Sequence, residues 1–258
     1  LWQAEGIQLW NRKQATLFTA YQDEQYSISN TGDHCANSYV NTTLSAAEAS
    51  GQTVLSVTSS TGMTAADNIG IELDGGTRQW TTIVSVDSST QITVTATLTG
   101  AAASGNTLVA YTNKIADRPL RIINTRLVDI KNSAIATTMN LIGHDEYAML
   151  PLKSTDGRPI NSFYDRQLDA GVLYLYPRPN NVNYLIEFTY HEAYEDMDSS
   201  TNDFDFPSEW YNALLINLEL ALAKSFGLEA IIQRLEMDAM RALDAARWFD
   251  SDDESLVM

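Results

Sequence analysis

The chain has 258 residues, 44% hydrophobic and 19% charged, enough to bury a substantial core in one or two domains. Its formal net charge of -17 works against sequence-independent grip on nucleic acid, which needs Lys and Arg to neutralise phosphates. The same charge opposes docking on anionic membranes, and no apolar run reaches membrane-spanning length.

Residues 1–42 open on Leu1–Ile7, which reads as the end of a helix closed near Gly6, so further chain is expected upstream. Two short alternating strands follow, Thr16–Thr19 and Gln25–Ile28, then a turn at Asn30–Asp33. No signal peptide is apparent. Cys35 is the single cysteine, which excludes an intrachain disulfide.

Residues 43–112 shift to Thr, Ser, Ala, Val and Gly with sparse charge. A strand is expected at Thr53–Thr58. Ile69, Ile71 and Leu73 alternate up to Asp74-Gly75-Gly76, a hairpin turn, and Trp80, Thr82, Val84 and Val86 alternate on the return. Asp87-Ser88-Ser89 turns into Ile92, Val94, Ala96 and Leu98, and Asn106–Tyr111 closes the series. Such spacing predicts an inserted small antiparallel barrel or sandwich.

Residues 113–207 regain a mixed composition. Strands are predicted from Leu120 towards Ile130, at Met139–Leu141, Ile160–Tyr164, Gly171–Tyr176 and Tyr184–Tyr190, with a short helical turn at His144–Leu150. Glu192–Asp205 is acidic. Pro207, Ser208 and Glu209 then start a helix running to Phe226, with Gly227 as its C-cap glycine. Ala213, Leu214, Leu218, Ala221 and Leu222 form its expected core stripe. Leu215, Ile216, Leu220 and Ala223 lie off that stripe, so the helix is apolar nearly all round and a second buried side is expected. A further helix spans about Leu228–Phe249, with a stripe of Ile232, Leu235, Ala239, Leu243 and Ala246. The tail 250–258 is acidic, then apolar at Leu256-Val257-Met258.

No catalytic signature emerges. His34, His144 and His191 are scattered, and His191-Glu192 lacks the second histidine of a zinc-protease motif. Asp196, Asp198, Ser200 and Asn202 alternate like a calcium loop, but Thr201 and Pro207 occupy the positions that need glycine and glutamate. No phosphate-cradling loop or nucleophile elbow is present. No cofactor is expected, and the reading is of a non-enzyme.

Several segments, in order, resemble the head-to-tail adaptor (packaged-DNA stabilisation) proteins of short-tailed bacteriophages. Leu1–Trp10 is similar to the "W-x-x-E-G" end of that family's first helix, and Arg118-Pro119-Leu120-Arg121-Ile122 to its "RP-x-RI" strand entry. Gly157-Arg158-Pro159 resembles its "GRP" turn, and Leu173–Pro179 its "LYLYP-x-P" strand. Pro207–Leu214 with Asn217-Leu218 and Phe226-Gly227 resembles its "P-x-x-[W/Y]-x-x-A-L-x-x-N-L" helix. The resemblance covers residues 1–42 and 113–249 and implies an α+β adaptor core, an α-helical bundle packed on a small β-sheet, with 43–112 as an all-β insert and 250–258 as a tail. It further implies a homo-oligomeric ring, typically of twelve copies, below the portal protein at the capsid vertex. The ring extends the DNA channel, retains packaged DNA without sequence-specific binding and receives the tail hub or nozzle protein. Leu215, Ile216, Leu220 and Trp210 are the candidate subunit contacts. Trp248, Phe249, Leu256, Val257 and Met258 are the candidate portal contacts. The expected location is the virion, with host cytoplasm during assembly. A different neck or tail-tube component, or a carbohydrate-binding host-recognition module, stays open as an alternative.

Overall fold

The computed structural model describes residues 10–132, 135–193 and 208–250. In chain order the first strands are β1 (Trp10–Phe18), β2 (Gln25–Ile28), β3 (Cys35–Ala36), β4 (Val40–Thr43), β5 (Val54–Ser56), β6 (Asn68–Glu72), β7 (Arg78–Ser88), β8 (Gln91–Val94) and β9 (Thr107–Tyr111). Then come β10 (Arg121–Asp129), β11 (Ile135–Leu141), the short helix α1 (His144–Met149), β12 (Asp156–Gly157), β13 (Asn161–Arg166), β14 (Gly171–Tyr176), β15 (Arg178–Pro179) and β16 (Tyr184–Ala193). Two longer helices end the described chain, α2 (Ser208–Ser225) and α3 (Glu229–Asp250).

Residues up to Ala193 form one compact unit. Its larger sheet has eight strands in the order β2-β14-β13-β11-β10-β16-β1-β3, antiparallel except where β11 meets β13. The sheet curls over itself. Tyr26, Ile28, Leu173 and Leu175 from the β2–β14 edge share a core with Leu17, Leu127, Ile186 and Phe188 from its middle. The smaller sheet has six strands in the order β4-β9-β6-β7-β8-β5 around a core that includes Leu55, Ile69, Ile71, Ile92 and Leu108. Its two edges meet just beyond β4 and β5, where Leu44 and Val57 form a backbone bridge and the Thr58 N–H donates to the Thr43 carbonyl at 2.8 Å.

The expectation of an α-helical bundle on a small β-sheet is overturned. Strand outweighs helix by 42% to 19%, and there are three helices among the described residues. The physical reason lies in strand edges. Each short alternating segment between Trp10 and Ala193 presents unpaired N–H and C=O groups along both sides, so these segments pair with one another into two wide sheets rather than serving as a platform for helices.

Residues 194–258 form a second unit, described as the hairpin of α2 and α3. Asp250 begins the predicted tail yet still belongs to α3. The end of α2 is set by Gly227, which adopts a left-handed φ of +68°. The Leu228 N–H donates to the Ala223 carbonyl at 3.0 Å and the Gly227 N–H to the Lys224 carbonyl at 3.3 Å, the paired bonds of a Schellman cap. Gly227→Ala is expected to destabilise the hairpin by about 1 kcal/mol, because a Cβ disfavours that backbone region. A helical melting midpoint unchanged by the substitution would reject this account of the turn.

The stripe expected on α3 packs inward, with Leu235, Ala239 and Ala246 buried. The stripe expected on α2 does so only in part, at Ala213. Trp210, Ala213 and Ala223 are buried, whereas Leu218 is 55% and Leu222 is 49% exposed. A helix apolar on every side carries no phase in its own sequence. The amphipathic α3 sets which face of α2 is covered.

Candidate functional site

One face of the eight-stranded sheet points away from the curled core. Along β1, Ala15 and Leu17 turn inward while Gln14, Thr16 and Phe18 face outward, the period-2 alternation of a strand. On β16, Leu185, Glu187 and Thr189 share that outer face, opposite Ile186, Phe188 and Tyr190. The polar part of this face forms a groove of about 620 Å³ lined by Gln14, Asn37, Tyr39, Asn124, Arg126 and Glu187 among others. The Arg126 guanidinium donates to Glu187 at 2.7 Å across its floor. The Asn37 amide is held by the Gln14 carbonyl at 2.8 Å and the Tyr190 hydroxyl at 3.1 Å, which fixes one wall.

The apolar part of the same face is covered by the six-stranded sheet. Phe18, Ala36 and Leu185 pack there with Val109 and Tyr111, flanked by Tyr39, Trp80 and Ile130. The Trp80 indole stacks on His34 with ring centroids 3.6 Å apart and meets Phe18 edge-on at 5.4 Å. The His34 Nδ1 shares a hydrogen bond with the Tyr111 hydroxyl at 2.5 Å. Burial, with the nearby charges of Lys114 and Arg78, pushes the His34 pKa down to about 4, so the imidazole is neutral at pH 7.

A polar cluster completes this seam. Glu72 of β6 accepts from the Lys131 ammonium and the Asn183 amide, each at 2.8 Å, and from the Thr107 N–H at 2.9 Å. The Thr107 hydroxyl in turn donates to the Asn183 side-chain oxygen at 2.5 Å. Burial pushes Glu72 up, but the bonds from Lys131, Thr107 and Asn183 outweigh it and hold the carboxyl below the usual range. Among the described residues no group of three His, Cys, Asp or Glu side chains is placed to hold a metal ion.

The residues predicted as subunit contacts do not share one face. Trp210 is buried, Ile216 lines a groove against Leu235, Asp238 and Arg241 of α3, Leu220 is half-buried, and Leu215 is 47% exposed. Leu215 instead belongs with Leu218, Leu222 and Phe226, all exposed, at the three-and-four spacing of a helix-packing seam. Of the predicted portal contacts, Trp248 is exposed on α3. The Phe249 side chain, Leu256, Val257 and Met258 lie outside the described residues, as do Leu1–Ile7 and the calcium-like Asp196–Asn202.

Sequence reasoning missed the Glu72–Asn183 cluster, whose members stand 111 positions apart, and for these no local signal exists. For Arg78 a signal did exist: it is the only Lys or Arg between positions 43 and 112. No family model, curated protein or solved structure matches this chain.

Proposed function

We propose that this chain is a structural subunit of a bacteriophage virion, a head-to-tail adaptor whose copies join into a ring beneath the portal. The observation that carries the reading is the exposed apolar ladder of Leu215, Leu218 and Leu222 on α2 and Phe226 just after it. Four large apolar side chains at helical spacing mark an association surface. Its occupant is a second copy of the chain. A protein with a net charge of -17 repels its own copies over most of its surface, so copies can meet where charge is absent. A cyclic arrangement gives each copy the same heterologous neighbour. The ordered segments that resemble the adaptor family supply the specific assembly. An acidic ring around DNA would repel the duplex rather than grip it, which suits a channel through which DNA slides.

The test is electron microscopy and native mass measurement of the full chain, alone and mixed with the portal protein of its phage. Rings on the portal are expected. A chain that stays monomeric and never joins the portal, or one that binds glycan in the β1–β16 groove instead, would reject the adaptor reading. The double substitution Leu218→Asp, Leu222→Asp is expected to reduce ring formation at least tenfold while leaving the circular dichroism spectrum and melting midpoint unchanged, since both side chains are half exposed in the single chain.

A further inference from the structure

The hairpin of α2 and α3 has a second bare apolar face besides the α2 ladder. Phe226 ends that ladder, and its N–H still donates to the Leu222 carbonyl at 2.9 Å, so its side chain keeps the helical phase. Leu218 stands five positions from each of the buried Ala213 and Ala223, which places it on the far side of the helix from both. On α3, Met237, Met240 and Trp248 are exposed. Met237 lies two positions from Leu235 and two from Ala239, and Trp248 two from Ala246, all three of them buried. At 100° per residue these exposed side chains too point away from the packed side. The helices run antiparallel, with Lys224 paired to Glu236 at 2.9 Å near the turn and Asn212 and Ala245 lining one groove near the other end. They pack through their buried faces, so the ladder and the methionine face look out from opposite sides of the hairpin.

The two faces match in length. Leu215 to Phe226 and Met237 to Trp248 each span about 16 Å of helix. They differ in character. The ladder presents branched leucines and carries no charge, whereas α3 presents unbranched methionines, which adapt their shape to fill gaps. Asp244, exposed at the same spacing between Met240 and Trp248, interrupts the α3 face. Setting α3 on α3 would bring two such carboxylates into a contact, where charge is costly. Setting α2 on α2 brings none, but it stops at a dimer and leaves both methionine faces in water.

We infer that the α2 ladder of one copy packs on the α3 face of the next, where Met237, Met240 and Trp248 receive it, so that hairpins line up in a belt of alternating helices. The inference rests on the reading that copies associate through α2, and it names the surface that α2 meets. A head-to-tail contact uses both faces of every copy and closes into a ring when the rotation allows. Cyclic symmetry keeps every α2 in one sense, so the contacting helices run antiparallel. Leu215 then lies near Trp248, and Phe226 near Met237.

The test uses the full chain in two variants, Leu222→Cys and Met240→Cys. Both positions are exposed and the native Cys35 is fully buried, so the added thiols report alone. Each variant, and an equal mixture of the two, is treated with a short bismaleimide, with and without the portal protein. The mixture is expected to yield cross-linked dimers holding one of each variant, identified by mass. Either variant alone should yield none, because like positions on successive copies are a helix pair apart. A chain carrying both substitutions should give a ladder of products up to the full ring. Rings that assemble while the mixture stays unlinked overturn this contact and leave the adaptor reading in place. Leu222→Cys linking to itself overturns it as well, by showing an isologous seam. If neither rings nor links form, both readings fall. A ladder from a chain that never joins the portal keeps the contact and removes the adaptor role.

Discussion

Trp80→Ala is expected to lower the stability of the β-rich unit by about 3 kcal/mol and to split its calorimetric transition in two. Truncating a large aromatic side chain in a packed cluster typically costs about 3–5 kcal/mol, and Trp80, half-buried, falls at the lower end. Trp80 stacks on His34, meets Phe18 edge-on and lies 5.8 Å from Tyr111. It therefore joins β7 of one sheet to β1 and the β2–β3 turn of the other. Each sheet keeps its own core, so what the substitution removes is the coupling between them. The pH dependence should change too. The His34 pKa in the folded chain, about 4, lies below the free value of about 6.5. The unfolded chain therefore binds the extra proton first, and stability falls as pH drops from about 6.5 towards 4. Removing the indole opens His34 to water and should flatten that slope. A single transition with an unshifted midpoint would show that the aromatic seam is not what couples the sheets.

Glu72→Ala should act on the same seam by a different route, destabilising the unit by about 2–4 kcal/mol at pH 7. The loss is mainly that of leaving the Asn183 amide, the Thr107 N–H and the Lys131 ammonium without their shared acceptor. Lys131 is 44% exposed and water can rescue it, whereas Asn183 and Thr107 are buried. Since the folded carboxyl titrates below its ordinary value, its contribution is fully present above about pH 4.3 and is lost as pH falls through the folded pKa. Urea midpoints of parent and variant should therefore lie furthest apart at pH 7 and draw closer, without meeting, in acid below about pH 4.3. A gap of equal size at pH 7 and in acid would mean that the carboxylate charge is not its source.

What could be read from sequence was local. The turn at Asp74-Gly75-Gly76 joins β6 to β7, because glycine there meets the demand for positive φ at Gly76. The Gly227 cap and the α3 stripe followed from equally short-range rules. The strand expected at Thr16–Thr19 proved to begin at Trp10. Its first half carries Asn11, Arg12, Lys13 and Gln14, polar residues that lie outside the expected strand, but pairing with β16 along its whole length overrides their weak strand preference. Strand order was out of reach. β16 sits between β1 and β10, and nothing in three separate alternating segments says which pair with which. The seam was equally hidden, since Trp80 reads as one more alternating residue of β7. Only the packing of the two sheets reveals that it faces Phe18 rather than the small sheet's own core. The phase of α2 was lost for the opposite reason, an excess of apolar residues on all sides.

The chain leaves the eight-stranded sheet and returns to it at neighbouring points, because Val40 and Ala110 are cross-strand partners. Such a doorway normally makes an inserted body exchangeable, since another fold with adjacent termini could be grafted there without disturbing its host. Here the exchange carries a condition. Phe18, Ala36 and Leu185 of the host surface are buried under Val109 and Tyr111 of the inserted strands. A shortened chain lacking 41–109 would bare a sticky patch beside the polar groove, so a replacement must bring its own apolar lid, or the trimmed protein should aggregate through that face.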